Sequence, residues 1–361
     1  VGTLSGPIGS TVLSSVQAVQ VWVKAINARG GLNGHLVNLV VFDDGGDPAR
    51  HRAQVQEAVE QRHAIAFLQQ NGTISGHSSV AYIERKRVPV IGSETGSPWF
   101  YTSPMFFPQT TSGDGLYYSI LASAARQNVP NGRTKLGSLV CVEVQGCKDS
   151  ERVFTAFSSE VKFAYVYKGR ASLAQPDYTA ECLSARNAGV QVLIVFLDPN
   201  SITRLGSSCR RQGVHVVLGL PSLLVTADRP TDPNADGAVG ASGVFPWFQS
   251  GTPATDEFHR AIKTYGQNIT LGTGPPTGWV SGKVLEKAAA NLPEPPTSDA
   301  ILHGLWSLKG ETLGGLTSPL SFAEGKPAPR TACWFNLLIK DRSWVSPDHF
   351  KLNCRDGEMP A

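Results

Sequence analysis

At 361 residues the chain exceeds the usual size of a single hydrophobic core, and 41% hydrophobic against 17% charged residues excludes a disordered polymer. Its net charge of +3 is spread without a basic block, which argues against a nucleic-acid surface. No apolar run reaches the length of a membrane span.

Val1 to Leu4 reads as the apolar start of a strand, within which a mature or trimmed form opens. Ser5-Gly6-Pro7 is a turn. Val12, Val16, Val19, Val23 and Ile26 then recur at helical spacing, and Asn27 to Gly31 ends that helix with glycine free to take the left-handed cap. Val37 to Phe42 is expected to be a buried strand. Asp47-Pro48 opens the next helix as a capping carboxylate followed by proline at the first helical position. Ala64 to Leu68 and Val88 to Ile91 read as further strands. Strands alternating with helices imply a parallel sheet covered on both faces.

The pattern restarts with a strand at Leu136 to Val142, a helical stretch at Glu151 to Val161 and a purely apolar strand at Val192 to Leu197. Ile202 to Gln212 is helical, and Val214 to Leu218 is the next strand. Two similar α/β units follow from this order. Pro- and Gly-rich stretches at 228–253, 271–278, 293–297 and 314–329 are loops or crossings between the units.

Six cysteines form no CxxC pair and no His/Cys spacing that suits zinc. Their even number fits disulfides and an oxidising compartment; buried free thiols are the alternative. The Asp43-Asp44-Gly45-Gly46-Asp47 cluster lacks the spacing of a calcium loop, so capping and loop ordering is the better account and no metal is expected. No G-x-S-x-G elbow, P-loop, H-E-x-x-H or dinucleotide fingerprint occurs, and the eight histidines are scattered. The expectation is a protein without cofactor and without catalysis.

Several segments share order and spacing with one family: Leu4-Ser5-Gly6-Pro7, Ile26 to Gly34, Phe42 to Pro48, and Val88-Pro89-Val90-Ile91-Gly92-Ser93. Through these the chain resembles the branched-chain amino acid (Leu/Ile/Val-type) binding proteins of ABC importers, with the type I periplasmic-binding-protein fold. The resemblance implies two Rossmann-like parallel-sheet lobes joined by a three-segment hinge, which bends to close on a ligand. Crossings are expected near Phe106 to Thr110, Val244 to Phe248 and Lys326 to Ala332. Lobe 1 would then hold 1–108 and 248–328, and lobe 2 would hold 109–247 and 329–361 with all six cysteines. The expected pairs are Cys147 with Cys182, Cys333 with Cys354, and Cys141 with Cys209. The resemblance further implies a monomer outside the cytoplasm of a bacterium, periplasmic or lipid-anchored, that passes a small molecule to a membrane permease and binds no nucleic acid. The alternative is a ligand-sensing domain of a receptor or regulator with the same fold.

The resemblance also assigns site residues. Asn71-Gly72-Thr73 aligns with the segment that grips the ligand carboxylate, Thr73 taking the place of a serine hydroxyl and Gly72 permitting close backbone approach. Thr95 aligns with a further hydroxyl contact, and Glu94 either holds a ligand amine or faces water. Thr11, Gly146 and Asp198 stand where the family has aromatic rings, and Ser222 stands where it has the carboxylate that binds the α-amino group. Asp198 or Glu94 would replace that carboxylate, or else the ligand has no amine and is an aromatic or aliphatic acid. Trp247 and Trp279 are candidate stacking walls, with hinge packing and core as the alternative.

Overall fold

The computed structural model describes the chain except Glu94, Thr95, Ser112 and Ala361, and describes the backbone alone at Pro7, Ile8, Ser10, Thr11 and Leu223. The chain starts with α1 (Gly6–Asn27), α2 (Pro48–Glu60), β1 (Phe67–Gln70), α3 (Val80–Lys86), β2 (Val90–Ser93) and β3 (Phe106–Phe107). It continues through α4 (Asp114–Asn128), β4 (Lys135–Cys141), α5 (Gln145–Phe157), β5 (Ala164–Ala171), α6 (Thr179–Asn187), β6 (Val192–Phe196), α7 (Pro199–Arg211), β7 (Val217–Leu220) and β8 (Val239–Ser242). Three helices follow, α8 (Pro253–Tyr265), α9 (Gly274–Ala288) and α10 (Ser298–Ser307), and then β9 (Cys333–Lys340), β10 (Ser343–Val345) and β11 (Leu352–Cys354). Among the described residues no helix is long and apolar enough to cross a membrane.

These elements form two compact units. Unit 1 holds Val1–Gly113, Val244–Thr331 and Pro360–Ala361; unit 2 holds Asp114–Gly243 and Ala332–Met359. The boundaries differ from the expected 108/109, 247/248 and 328/329, and local bonds explain why. The Gln109 side chain is tied to Ser93 and its carbonyl accepts from Thr317, all in unit 1. Phe245 N–H donates to Leu316 O, and Arg330 lies over the Tyr101 ring, 4.7 Å from its centroid.

Unit 1 contains a parallel sheet in the order β1-β2-β3. Side-chain caps start α2 and α8, the first of them as the sequence announces. Asp47 caps α2 by accepting from Ala49 N and Arg50 N at 2.8 and 3.1 Å, with Pro48 next in line. Thr252 and Thr255 form a reciprocal capping box on α8. The expected strand at Val37 to Phe42 does not form. This stretch has no ladder partner: Val37 is held at one end by the Asn27 side chain, and at the other end Gly2 N–H donates to Phe42 O at 3.2 Å. An apolar run becomes a strand only when a ladder partner lies alongside it.

Unit 2 is a larger mixed sheet ordered β10-β9-β8-β7-β6-β4-β5, with β11 also on β9. The pairs from β5 through β8 are parallel; β9 runs antiparallel to β8, β10 and β11. Central β6 is covered on both faces, which explains its unbroken apolar run: Val192, Leu193, Ile194 and Val195 are all buried. Ile120 and Leu121 of α4, Phe154 of α5 and Trp334 of β9 complete one core around it.

All six cysteines lie in unit 2 and all are paired. Cys141 bonds Cys147, Cys182 bonds Cys209, and Cys333 bonds Cys354. The expected Cys147–Cys182 and Cys141–Cys209 pairs are therefore wrong. The α5 helix begins at Gln145 rather than near Glu151, so Cys147 sits in its first turn, with its Cα 5.5 Å from Cys141 at the tip of β4. Cys182 on α6 faces Cys209 on α7 across 5.1 Å. Cys333 and Cys354 are opposite partners in the β9–β11 ladder.

Candidate functional site

In open parallel sheets the loops beyond the carboxyl ends of the strands carry ligands. Beyond β1 the chain turns at Gly72 to Ser75 before a short 3₁₀ turn at Gly76–Ser79. Gly72 is required by space. A Cβ there would lie 2.9 Å from Gly76 Cα and 3.1 Å from His51 Cε1. Asn71, which is buried, accepts from Gln69 Nε2 at 3.2 Å, and its carbonyl accepts from Thr3 N–H at 2.8 Å. Asn71 therefore anchors the turn from below. Thr73 is half-buried, and its hydroxyl has no partner among the described residues. The backbone N–H groups of Thr73, Ile74 and Ser75 likewise donate to no described acceptor.

A buried polar cluster holds this turn from one side. Asp44 accepts four hydrogen bonds. Thr3 Oγ1 and Gly46 N–H reach Oδ1 at 2.8 and 2.6 Å; His51 Nδ1 and Ser75 Oγ reach Oδ2, both at 2.7 Å. Both side chains of the Asp44–His51 pair are fully buried. Burial alone would raise the Asp44 carboxyl. The bonds from His51, Gly46, Ser75 and Thr3 together outweigh it and hold the group down at about 2. Asp43 accepts from Leu4 N–H and Gly45 N–H, each at 2.9 Å. Asp43 and Asp47 thus hold loop and helix backbone, while Asp44 ties three side chains and one backbone N–H together.

A second network supports the loop beyond β2. Gln109 Oε1 accepts from Ser93 N–H at 3.1 Å while its Nε2 donates to Ser93 O at 2.7 Å, so one amide side chain reads Ser93 as a strand would. Gln69 Oε1 accepts from Ser281 Oγ of α9 at 2.6 Å. Glu94 and Thr95 lie outside the described residues. So does the side chain of Thr11, whose backbone belongs to α1.

In unit 2, Gly146 stands in the first turn of α5. A Cβ there would lie 2.7 Å from the Tyr117 hydroxyl, so the phenol of Tyr117 on α4 occupies the adjoining space. Tyr117 is an aromatic that the sequence reading missed. Nothing in its helical spacing separates it from ordinary core. Asp198 caps α7, accepting from Asn200 N and Ser201 N at 2.9 and 3.2 Å and from the Ser201 hydroxyl. Ser222 is buried in a short helical turn just beyond β7. Of the two tryptophans, Trp247 is buried in unit 1 with its ring 5.0 Å from Phe248, and Trp279 is fully buried on α9, 5.8 Å from Phe258 of α8.

The sequence matches the family model described as periplasmic binding protein over residues 1–333. The chain belongs to the periplasmic binding protein family. Solved structures show that this binding protein has the type I fold, with α/β units built on mainly parallel sheets. A possible leucine/isoleucine/valine-binding protein from Rhodopirellula baltica SH 1 is 18% identical over 96% of this chain and 95% of that one, with a TM-score of 0.81. A branched-chain amino acid ABC transporter from Thermus thermophilus with bound valine is 17% identical over 96% and 93%, with a TM-score of 0.79. An ABC transporter solute binding protein from R. palustris in complex with benzoate is 11% identical over 99% and 96%, with a TM-score of 0.77. No protein of curated function matches the binding protein in sequence. The relatives named for a ligand differ in what they hold, an amino acid in one and an aromatic acid in another.

Proposed function

We propose that this binding protein captures a small carboxylate-bearing molecule, an amino acid or an aromatic or aliphatic acid, and delivers it to the permease of an ABC importer. The observation that carries this reading is the turn beyond β1. Three consecutive N–H groups, at Thr73, Ile74 and Ser75, and the Thr73 hydroxyl lack partners among the described residues. Consecutive backbone donors of this kind form a concave anion site without a charged side chain. Asn71, Gly72, Ser75 and the Asp44 cluster hold the turn in place before a ligand arrives, which lowers the ordering cost of binding. The valine-bound and benzoate-bound relatives both hold a carboxylate and differ in the amine. With Asp198 engaged in capping α7, the reading favours an acid whose recognition does not rest on that residue.

The three disulfides fit an oxidising, extracytoplasmic compartment, as do the family's deliveries to a membrane permease. We read the protein as a monomer without catalytic activity that works by binding alone. The test is a thermal-shift screen of amino acids, aromatic acids and small amides. A carboxylate is expected among the strongest hits, and its corresponding amide is expected to be silent. Amides that bind as well as their acids would sink this reading.

A further inference from the structure

A groove of about 480 Å³ opens in unit 2 at the amino ends of its strands. Arg133, Gln191, His215 and Asp236 stand just ahead of β4, β6, β7 and β8, and all four line it. Topology explains why it is open. Parallel neighbours need a long crossover, which is usually an α-helix laid over the sheet. β7 and β8 are parallel, yet the chain from Pro221 to Ala238 forms two short 3₁₀ turns, Ser222–Leu224 and Arg229–Thr231, and no α-helix. The space beside α7 is left as a groove. Its volume falls within the range of small-molecule sites, about 300 to 1,000 Å³.

Both walls are fixed. On one side, α7 contributes Leu205 and Cys209 and is tied to α6 by the Cys182–Cys209 bond. On the other, the buried Arg229 donates to Thr203 Oγ1 and Pro199 O of α7, both at 2.9 Å. Asp232 then accepts from the Asn234 N–H and side-chain amide, at 2.9 and 2.7 Å. Gly206 lets the walls meet, since a Cβ there would lie 3.1 Å from Asn234 Cβ. A site already held open costs little ordering when it is filled.

The lining sets the chemistry of the occupant. Val190, Leu205, Val214 and Leu218 are buried and give an apolar floor. The rim is cationic: Arg133, Arg210 and His215 are exposed, and neither guanidinium has a carboxylate partner among the described residues. Asp236 is the single carboxylate among the lining residues. Gln191 adds a neutral donor close to Arg133. Its Oε1 accepts from Thr134 N–H and Lys135 N–H at 2.9 and 3.0 Å, which leaves Nε2 without a partner among the described residues. A guanidinium fork matches a carboxylate in shape and charge. We propose that this groove is a second binding site, for a medium-chain aliphatic carboxylate whose tail lies on the apolar floor and whose head meets Arg133, Gln191 and Arg210.

The test titrates octanoate into the full chain by calorimetry, with octanamide as the neutral probe, and reads amide hydrogen exchange with and without octanoate. Octanoate is expected to slow exchange at Gln191 and at His215 to Val217 at least threefold, and octanamide to bind at least tenfold more weakly. Arg133→Glu with Arg210→Glu is expected to weaken octanoate at least tenfold with little change in Tm, while lysine at both positions keeps affinity within about fivefold. Thr73→Ala is expected to leave this binding unchanged, which separates the groove from the turn beyond β1. Equal affinity in the double glutamate variant would overturn the proposal, as would protection confined to Gly72 to Ser75. So would a dimer in light scattering with Gln191 and Val216 protected before any octanoate is added, because a second copy would then cover the groove.

Discussion

Replacing Asp44 by asparagine tests the idea that one buried carboxylate braces the turn beyond β1. Asp44 accepts four hydrogen bonds at 2.6 to 2.8 Å, two on each oxygen. Asparagine keeps the shape but puts an NH₂ group where His51 and Ser75 now donate. Hydrogen bonds to a charged group contribute about 1.5 to 3 kcal/mol each, so losing the pair that shares one oxygen is expected to cost about 3 to 6 kcal/mol at pH 7. The pH dependence gives a sharper reading. Asp44 titrates at about 2 in the fold against 3.8 ordinarily, so the unfolded chain takes up the proton first as pH falls. The stabilisation is complete above about pH 5 and is lost as pH falls toward about 2. It amounts to about 2 kcal/mol. Asp44→Asn has no such group to protonate, while every other carboxyl is common to both chains and cancels. Urea unfolding of both chains from pH 5 down to pH 2 should therefore show their stability difference shrinking by about 2 kcal/mol. A difference that stays constant across that window would refute the reasoning.

Thr73→Ala is expected to weaken the best carboxylate from the thermal-shift screen by roughly tenfold to a hundredfold, as loss of one bond to a charged group does, with little change in the unliganded Tm; calorimetric titration reads both. Gly92→Ala is expected to lower stability by more than about 2 kcal/mol in urea unfolding, because φ is +77° and the added Cβ would lie 1.9 Å from Ser281 Oγ. Converting Cys182 and Cys209 together to alanine removes a cross-link spanning 27 residues and is expected to cost roughly 3 kcal/mol, seen as a lower urea midpoint for unit 2.

Signals written within a few neighbouring residues were readable in the sequence. Asp47-Pro48 announces a capped helix, and Asp47 caps α2. The apolar run at Val192 marks the doubly covered centre of a sheet, where β6 lies. Features that join distant segments were not readable. Asp44 meets Thr3 and Ser75 only because the fold brings three stretches together. Gln109 reaches Ser93 by mimicking a strand with a side chain, for which no sequence pattern exists. The cysteine pairing failed where a helix start was placed too late, since moving α5 upstream by a turn or more brings Cys147 beside Cys141. Val37 to Phe42 has the composition of a strand, but composition does not supply a neighbour.

The Cys141–Cys147 bond closes a ring around Val142, Glu143, Val144, Gln145 and Gly146 at the crest of β4. Glu143 fastens that ring outward by accepting from the Ser172 hydroxyl at 2.7 Å and from Leu173 N–H at 2.9 Å. A loop so tethered has few shapes open to it. With thiols in place of the bond, the same five residues would have more shapes open to them, so the rigidity of this crest depends on the electron supply of the surroundings.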